Sequence, residues 1–263
     1  MQMFHKINIL HLTGFQLLDY KKCKANAILF CLFLCFNVWV AFAFIINMTS
    51  LYAVLQMSDY SMTISLALSN GSCLITFITL YLKKSKILKL TKIVKSCNNS
   101  TYKSFTLLKI FQIFNLCFFV FFPVVSSFFF KNVQLLFIMY CFVFNQITLP
   151  LSITVLYANF CCWCSTALKR IEKQIKNISV ILNENRITRI FQDYQYILHI
   201  CLAVESAFSI VAFILMASYI ITIFTYMGNF IRHHHRNYVM MCQMSINLTL
   251  EVFGMTILIV FAS

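Results

Sequence analysis

Glu251 is an acid inside an apolar run, with Asn247 four residues before it and Gly254 three residues after. On a helix those offsets share one face, so the three residues form a polar stripe. Counted from Val239, where the run begins, Glu251 lies about 18 Å along the helix, near the middle of a bilayer. An ionisable group at that depth costs roughly 2.5 kcal/mol or more unless it faces the protein interior or a water-filled cavity. Either the stripe lines a ligand cavity or an ion path, or a protonated acid holds neighbouring helices together by hydrogen bonds. Asn145 and Gln146 stand midway along a second long apolar run and suit a pocket lining for the same reason. The candidate ligand-binding set is therefore Asn145, Gln146, Asn247 and Glu251. Glu205 lies nearer the end of its run, where it snorkels or pairs with a base from the later basic segment around Lys169 to Arg189.

The other reactive residue types point away from chemistry. His233, His234 and His235 are the candidates for a metal or a pH sensor, because imidazole binds transition metals and titrates near neutrality. Three adjacent side chains in a loop seldom converge on one ion, so a solvated loop and no metal are expected. Cys161, Cys162 and Cys164 suit palmitoylation or a metal, but small buried apolar thiols account for them more simply. The chain has four glycines, which excludes a glycine-rich phosphate loop, and it has no His-Glu metal helix and no defensible Ser-His-Asp arrangement. No enzyme and no cofactor are expected.

The elements that must position these residues are membrane helices. Hydrophobic residues make up 61% of the 263, 29 of them Phe, against 11% charged, a surface that water cannot solvate. Six apolar runs are long enough to cross a bilayer, at about residues 25–46, 62–82, 110–130, 133–164, 197–227 and 239–262. They predict a single all-α, multi-pass domain in the plasma membrane. The run from Val133 to Cys164 holds 32 uncharged residues, about 48 Å as a helix. It passes without a break into a basic amphipathic stretch with Leu168, Ile171, Ile175, Ile178 and Leu182 on one stripe. After a turn at Asn183-Glu184-Asn185, a return segment presents Ile187, Ile190, Phe191 and Tyr194 on one face.

The net charge of +14 reflects orientation and not nucleic-acid binding, since the bases fall in short segments between apolar runs. The N-terminus, the Lys83 to Lys109 segment and the segment after Cys164 together hold 18 of the 21 Lys and Arg. By the positive-inside rule those three segments, the N-terminus among them, face the cytosol, and their bases meet membrane lipid there. The 12 cysteines lie in predicted spans or cytosolic segments, so no structural disulfide is implied.

A cytosolic N-terminus, short outer loops, an overlong fourth helix and a returning fifth helix together resemble the arthropod gustatory-receptor-like chemoreceptors. The stretch from Ala167-Leu168-Lys169-Arg170-Ile171 through Tyr194-Gln195-Tyr196-Ile197-Leu198-His199 to Phe208-Ser209-Ile210 is similar to that family's approach to its fifth span. The resemblance implies a subunit of a ligand-gated cation channel that detects small-molecule tastants, with a ligand cavity among its helices. It also implies a homo- or hetero-tetramer joined through cytosolic helices. One departure is plain. The family's signature of Thr-Tyr, five mostly apolar residues and Gln-Phe belongs to a seventh span, whereas here Thr225-Tyr226 leads into Met227, Gly228, Asn229, Phe230, Ile231, Arg232 and His233. A chain cut short before the family's pore helix is expected, able to bind ligand or join an assembly but not to conduct alone. An odorant receptor of the related insect family is disfavoured by the two-residue connection Lys131-Asn132. A small-molecule transporter is the alternative from another class, and a G-protein-coupled receptor is opposed by the charge distribution.

Overall fold

The computed structural model describes residues 31, 32, 35, 38, 60–96, 113, 117, 147–176, 184–233 and 238–262. All of them are helical apart from a turn at Lys83, and no strand occurs among the described residues. The five helices are α1 (Tyr60–Leu82), α2 (Lys84–Ser96), α3 (Leu149–Lys176), α4 (Glu184–His233) and α5 (Tyr238–Ala262). The expected first span, third span and residues 133–146 of the fourth fall outside the described residues, isolated helical positions aside.

The 50 residues of α4 form one uninterrupted helix, about 75 Å long. The return segment and the fifth apolar run, read separately above, are continuous, because nothing from Glu184 to Met227 breaks a helix: there is no Pro, and the first Gly is Gly228. Packing along α4 is antiparallel with α1, α3 and α5. Phe208 sits at the centre of the main core, its ring centroid 5.5 Å from Tyr157 and 5.7 Å from Phe160, both tilted contacts. Phe77, Leu80, Leu149, Ile153, Val211, Leu215 and Tyr219 close the core around it.

α3 starts just after a π-type turn at Ile147 and Thr148. Pro150 explains it, since a residue without a backbone N–H cannot continue a regular ladder. Leu149 to Val155 are buried without exception, the mark of a helix enclosed on all sides. Beyond Ala167 the same helix turns outward, leaving Leu168 and Ile175 exposed and only Ile171 buried.

The basic segment after α1 contains a helix that the charge count hid. Only Lys83 separates α1 from α2, its amide donating to the Thr79 carbonyl at 3.1 Å. Ile87, Leu88 and Leu90 are buried, and the Lys83 and Lys86 ammoniums donate to the Ser206 carbonyl at 2.6 Å and its hydroxyl at 3.4 Å. The bases that approach the Glu205 level thus come from the first basic segment and not from the later one.

α3 (Leu149–Lys176) and the Ile187–Gly228 part of α4 are each long and apolar enough to cross a membrane. Their neighbours carry the same kind of outer surface. Phe213, Ile220 and Phe224 on α4, Ile75 and Ile78 on α1, and Val252, Ile259 and Val260 on α5 all point outward, as lipid-facing side chains do.

Candidate functional site

α5 is apolar nearly all round, so its sequence leaves the inward face to be chosen by its few polar and small residues. Asn247, Leu250, Glu251, Gly254, Ile257 and Leu258 are buried, whereas Ile246, Val252, Phe253, Ile259 and Val260 are exposed. The stripe read from the sequence is the packed face, and Glu251 retains only 2% of its exposure.

Two contacts fix α5 against α4. The Asn247 amide donates to the Tyr226 hydroxyl at 3.4 Å, and the Tyr219 ring lies over Gly254. Both obey one antiparallel register, which sets Thr222 level with Glu251. Gly254 is required there: a Cβ would lie 2.8 Å from the Tyr219 Cζ and Oη, too close for any side chain. Tyr219 in turn shares a 2.9 Å hydrogen bond with Thr154 of α3, and the Ser72 hydroxyl of α1 donates to Ser218 of α4 at 2.9 Å. A polar seam therefore runs through the bundle, touched by four helices. Cys73 of α1, Tyr219 and Tyr226 all lie close enough to the Glu251 carboxyl for its charge to act on them.

Oε1 of Glu251 and Oδ1 of Asn247 have no hydrogen-bond partner, and both are acceptors. Thr222 donates to the Ser218 carbonyl at 2.9 Å and Ser152 to the Thr148 carbonyl at 2.7 Å, while the buried Thr76 hydroxyl of α1 has no hydrogen-bond partner. Thr148, Ser152, Thr154, Ser218 and Thr222 are all buried. The sequence reading missed these hydroxyls and both tyrosines. Tyr219, Thr222 and Tyr226 share one face of α4 at three- and four-residue offsets, a signal that was legible but lost among 12 tyrosines.

Of the residues singled out from the sequence, the structure brings Asn247 and Glu251 together on one turn of α5. Asn145 and Gln146 lie outside the described residues, immediately before the π-type turn that opens α3. His233 is the last residue of α4, while His234 and His235 lie outside the described residues. No group of three or more His, Cys, Asp or Glu suited to a metal occurs among the described residues. Cys73, Cys161, Cys162, Cys164 and Cys201 are free thiols, with Cys73, Cys162 and Cys164 buried and Cys161 and Cys201 partly so. A concavity of about 380 Å³ opens where the extensions of α3 and α4 meet, lined by Gln174, Arg189, Ile190 and Asp193.

In comparisons with known proteins, no family model, no curated protein and no solved structure matches this chain.

Proposed function

We propose that this chain is a multi-pass membrane subunit of a chemosensory receptor of the gustatory type, one that binds a small-molecule tastant in a cavity of its helix bundle. Such a receptor is a ligand-gated cation channel of the plasma membrane. The observation that carries the reading is the buried pair Asn247 and Glu251, facing Tyr219 and Tyr226 across the α4–α5 contact. A purely structural helix contact leaves buried acceptors satisfied; a ligand site keeps a few convergent polar atoms in an otherwise apolar lining. Asn145 and Gln146, which precede the π-type turn in the chain, complete the proposed ligand-binding set.

Assembly into a tetramer through the cytosolic extensions draws support from the lower part of α4. Ile187, Phe191, Tyr194 and Leu198 are exposed there, at the four-three-four spacing of a helix–helix seam. The topology that goes with this reading has six crossings with both described basic segments in the cytosol.

The test is a ligand titration in a receptor assembly that contains this chain and responds to tastants. Alanine at Glu251 and, separately, at Asn247 is expected to shift the half-maximal ligand concentration at least tenfold with the surface level unchanged. An unaltered titration at both positions overturns the site. A glycosylation tag at the N-terminus that becomes modified overturns the orientation.

A small-molecule transporter is the second reading, favoured by the unpaired buried acid together with the broken helical ladder at Ile147 and Thr148. Substrate flux without conductance is its signature.

A further inference from the structure

Two ammonium groups meet at one residue where α1 passes into α2. The Lys83 Nζ donates to the Ser206 carbonyl at 2.6 Å and the Lys86 Nζ to the Ser206 hydroxyl at 3.4 Å, while the Lys84 Nζ stands 5.6 Å from the centroid of the Tyr81 ring. Lys89 follows, exposed, on α2. Like charges gathered in this way repel one another, and the chain has few acids to set against them, 7 Asp and Glu for 21 Lys and Arg. Glu172 is already paired with Lys176. Asp59 precedes the opposite end of α1, whose 23 residues measure about 35 Å. None of the four lysines pairs with a carboxylate among the described residues.

The surface beside them changes character at the same point. Helical hydrogen bonds carry through the turn, since the Lys83 amide donates to the Thr79 carbonyl at 3.1 Å and the Ile87 amide to the Lys83 carbonyl at 3.2 Å. The outward face of α1 therefore runs on into α2. Along it stand Ile75, Ile78 and Leu82, all exposed, Leu82 by 77%. At the next helical steps come Lys86 and Lys89. Apolar side chains give way to ammoniums within one turn, with Tyr81, a residue type that favours the headgroup level, at the change. A phospholipid presents the same order of chemistry, acyl chain and then charged headgroup.

We propose that the α1–α2 corner is a discrete site for one polyphosphoinositide of the inner leaflet, its acyl chain along Ile78 and Leu82 and its phosphates at Lys83, Lys84, Lys86 and Lys89. General attraction of basic segments to an anionic membrane needs no fixed geometry. Here Ser206 and Tyr81 hold three of the ammoniums in place, so less ordering remains for binding to supply. A phosphate monoester carries about −1.5 to −2 charges, so a headgroup with two of them matches four lysines, whereas phosphatidylserine leaves most of that charge unmatched. The inference goes beyond the receptor reading and shares with it only the cytosolic placing of the basic segments.

The experiment is native mass spectrometry of the full chain in neutral detergent, titrated with dioctanoyl phosphatidylinositol 4,5-bisphosphate. Saturable binding of one lipid per chain is expected. Joint replacement of Lys83, Lys84 and Lys86 by Gln is expected to weaken it by about tenfold or more, with helix content by circular dichroism unchanged. Gln at Lys169, Lys173 and Lys176 removes the same charge from the α3 extension and is expected to leave affinity within about twofold. Where the corner variant fails to fold, Lys84→Gln with Lys89→Gln, which spares both Ser206 contacts, decides. Absence of saturable binding overturns the proposal, as do equal losses in the corner and α3 variants. Equal binding of dioctanoyl phosphatidylserine at matched charge overturns it too, and equal affinity for soluble inositol 1,4,5-trisphosphate would show a phosphate site that ignores the lipid. Lipid binding is read without any tastant, so either reading can fail while the other stands.

Discussion

The two halves of α4 belong to one unbroken helix and live by different rules. From Ile200 to Tyr226 the buried residues follow one helical stripe: Ile200, Val204, Ala207, Phe208, Val211, Leu215, Ser218, Tyr219, Thr222 and Tyr226. From Ile187 to Tyr196 only Ile190 is buried, while Phe191 is 58% and Tyr196 50% exposed. The upper half is held by tertiary packing against α1, α3 and α5. The lower half extends from that anchored template one residue at a time, which is far easier than nucleating a helix afresh. Helical conformation is thus shared by both halves, and packing energy is concentrated in one.

The largest effect that would break this contrast is at Phe208. Its replacement by Ala removes two aromatic contacts and opens a cavity, so the unfolding free energy in denaturant titrations is expected to fall by about 3 to 5 kcal/mol. Phe191→Ala, in the exposed half, is expected to stay within about 0.5 kcal/mol, and to lower the assembled fraction in size-exclusion profiles where the α4 extensions dock. Equal losses at the two positions would erase the distinction.

Next comes the seam. Glu251→Leu is expected to raise stability by about 1 to 3 kcal/mol, because it removes a buried acceptor, Oε1, that has no partner among the described residues. The opposite sign would mean that the acid serves mainly to hold the helices together. Gly254→Ala, by contrast, is expected to lower stability by about 1 to 3 kcal/mol, since Tyr219 must leave its place and its hydrogen bond to Thr154. A thermal melt separates the two signs.

The smallest effect lies in the α3 extension. Lys176 donates a 2.6 Å hydrogen bond to Glu172 one turn earlier, and this bond, with the lysine's charge, holds the carboxyl below the usual carboxylate range. A depressed folded-state value means the contribution is complete above the unfolded value and is lost as pH falls through the folded one. Acidification from neutral pH to below the carboxylate range is therefore expected to loosen this end slightly, and Glu172→Gln to abolish that part of the pH dependence. The pair is fully exposed to solvent, so hydrogen exchange of the α3 end is the suitable measurement, with little change expected in global unfolding.

Much of this was legible in the residues themselves. The apolar runs at 62–82 and 239–262 fall on α1 and α5 within two residues at either end, because long apolar stretches without Pro have no competing structure. The passage of the 133–164 run into a basic amphipathic stretch reappears from Leu149 to Lys176 as a single helix. The stripe of Asn247, Glu251 and Gly254 was visible from spacing alone, since in so apolar a helix polar residues define the protected face. α2 was hidden by its lysines, although Ile87, Leu88 and Leu90 carried its amphipathic pattern.

Sequence by itself determined that the chain is helical, where its apolar runs begin and end, and which side of α5 turns inward, because those depend on local composition and period. Tertiary structure alone decided which partners that side meets. Tyr219 over Gly254, Thr154 on Tyr219 and Ser72 on Ser218 join residues far apart in the chain. Register between helices is set by the closest approach that side chains allow, and no single helix contains that information. The same holds for Oε1 of Glu251 and Oδ1 of Asn247: a residue type announces that it can accept a hydrogen bond, but only packing determines whether a donor stands opposite it.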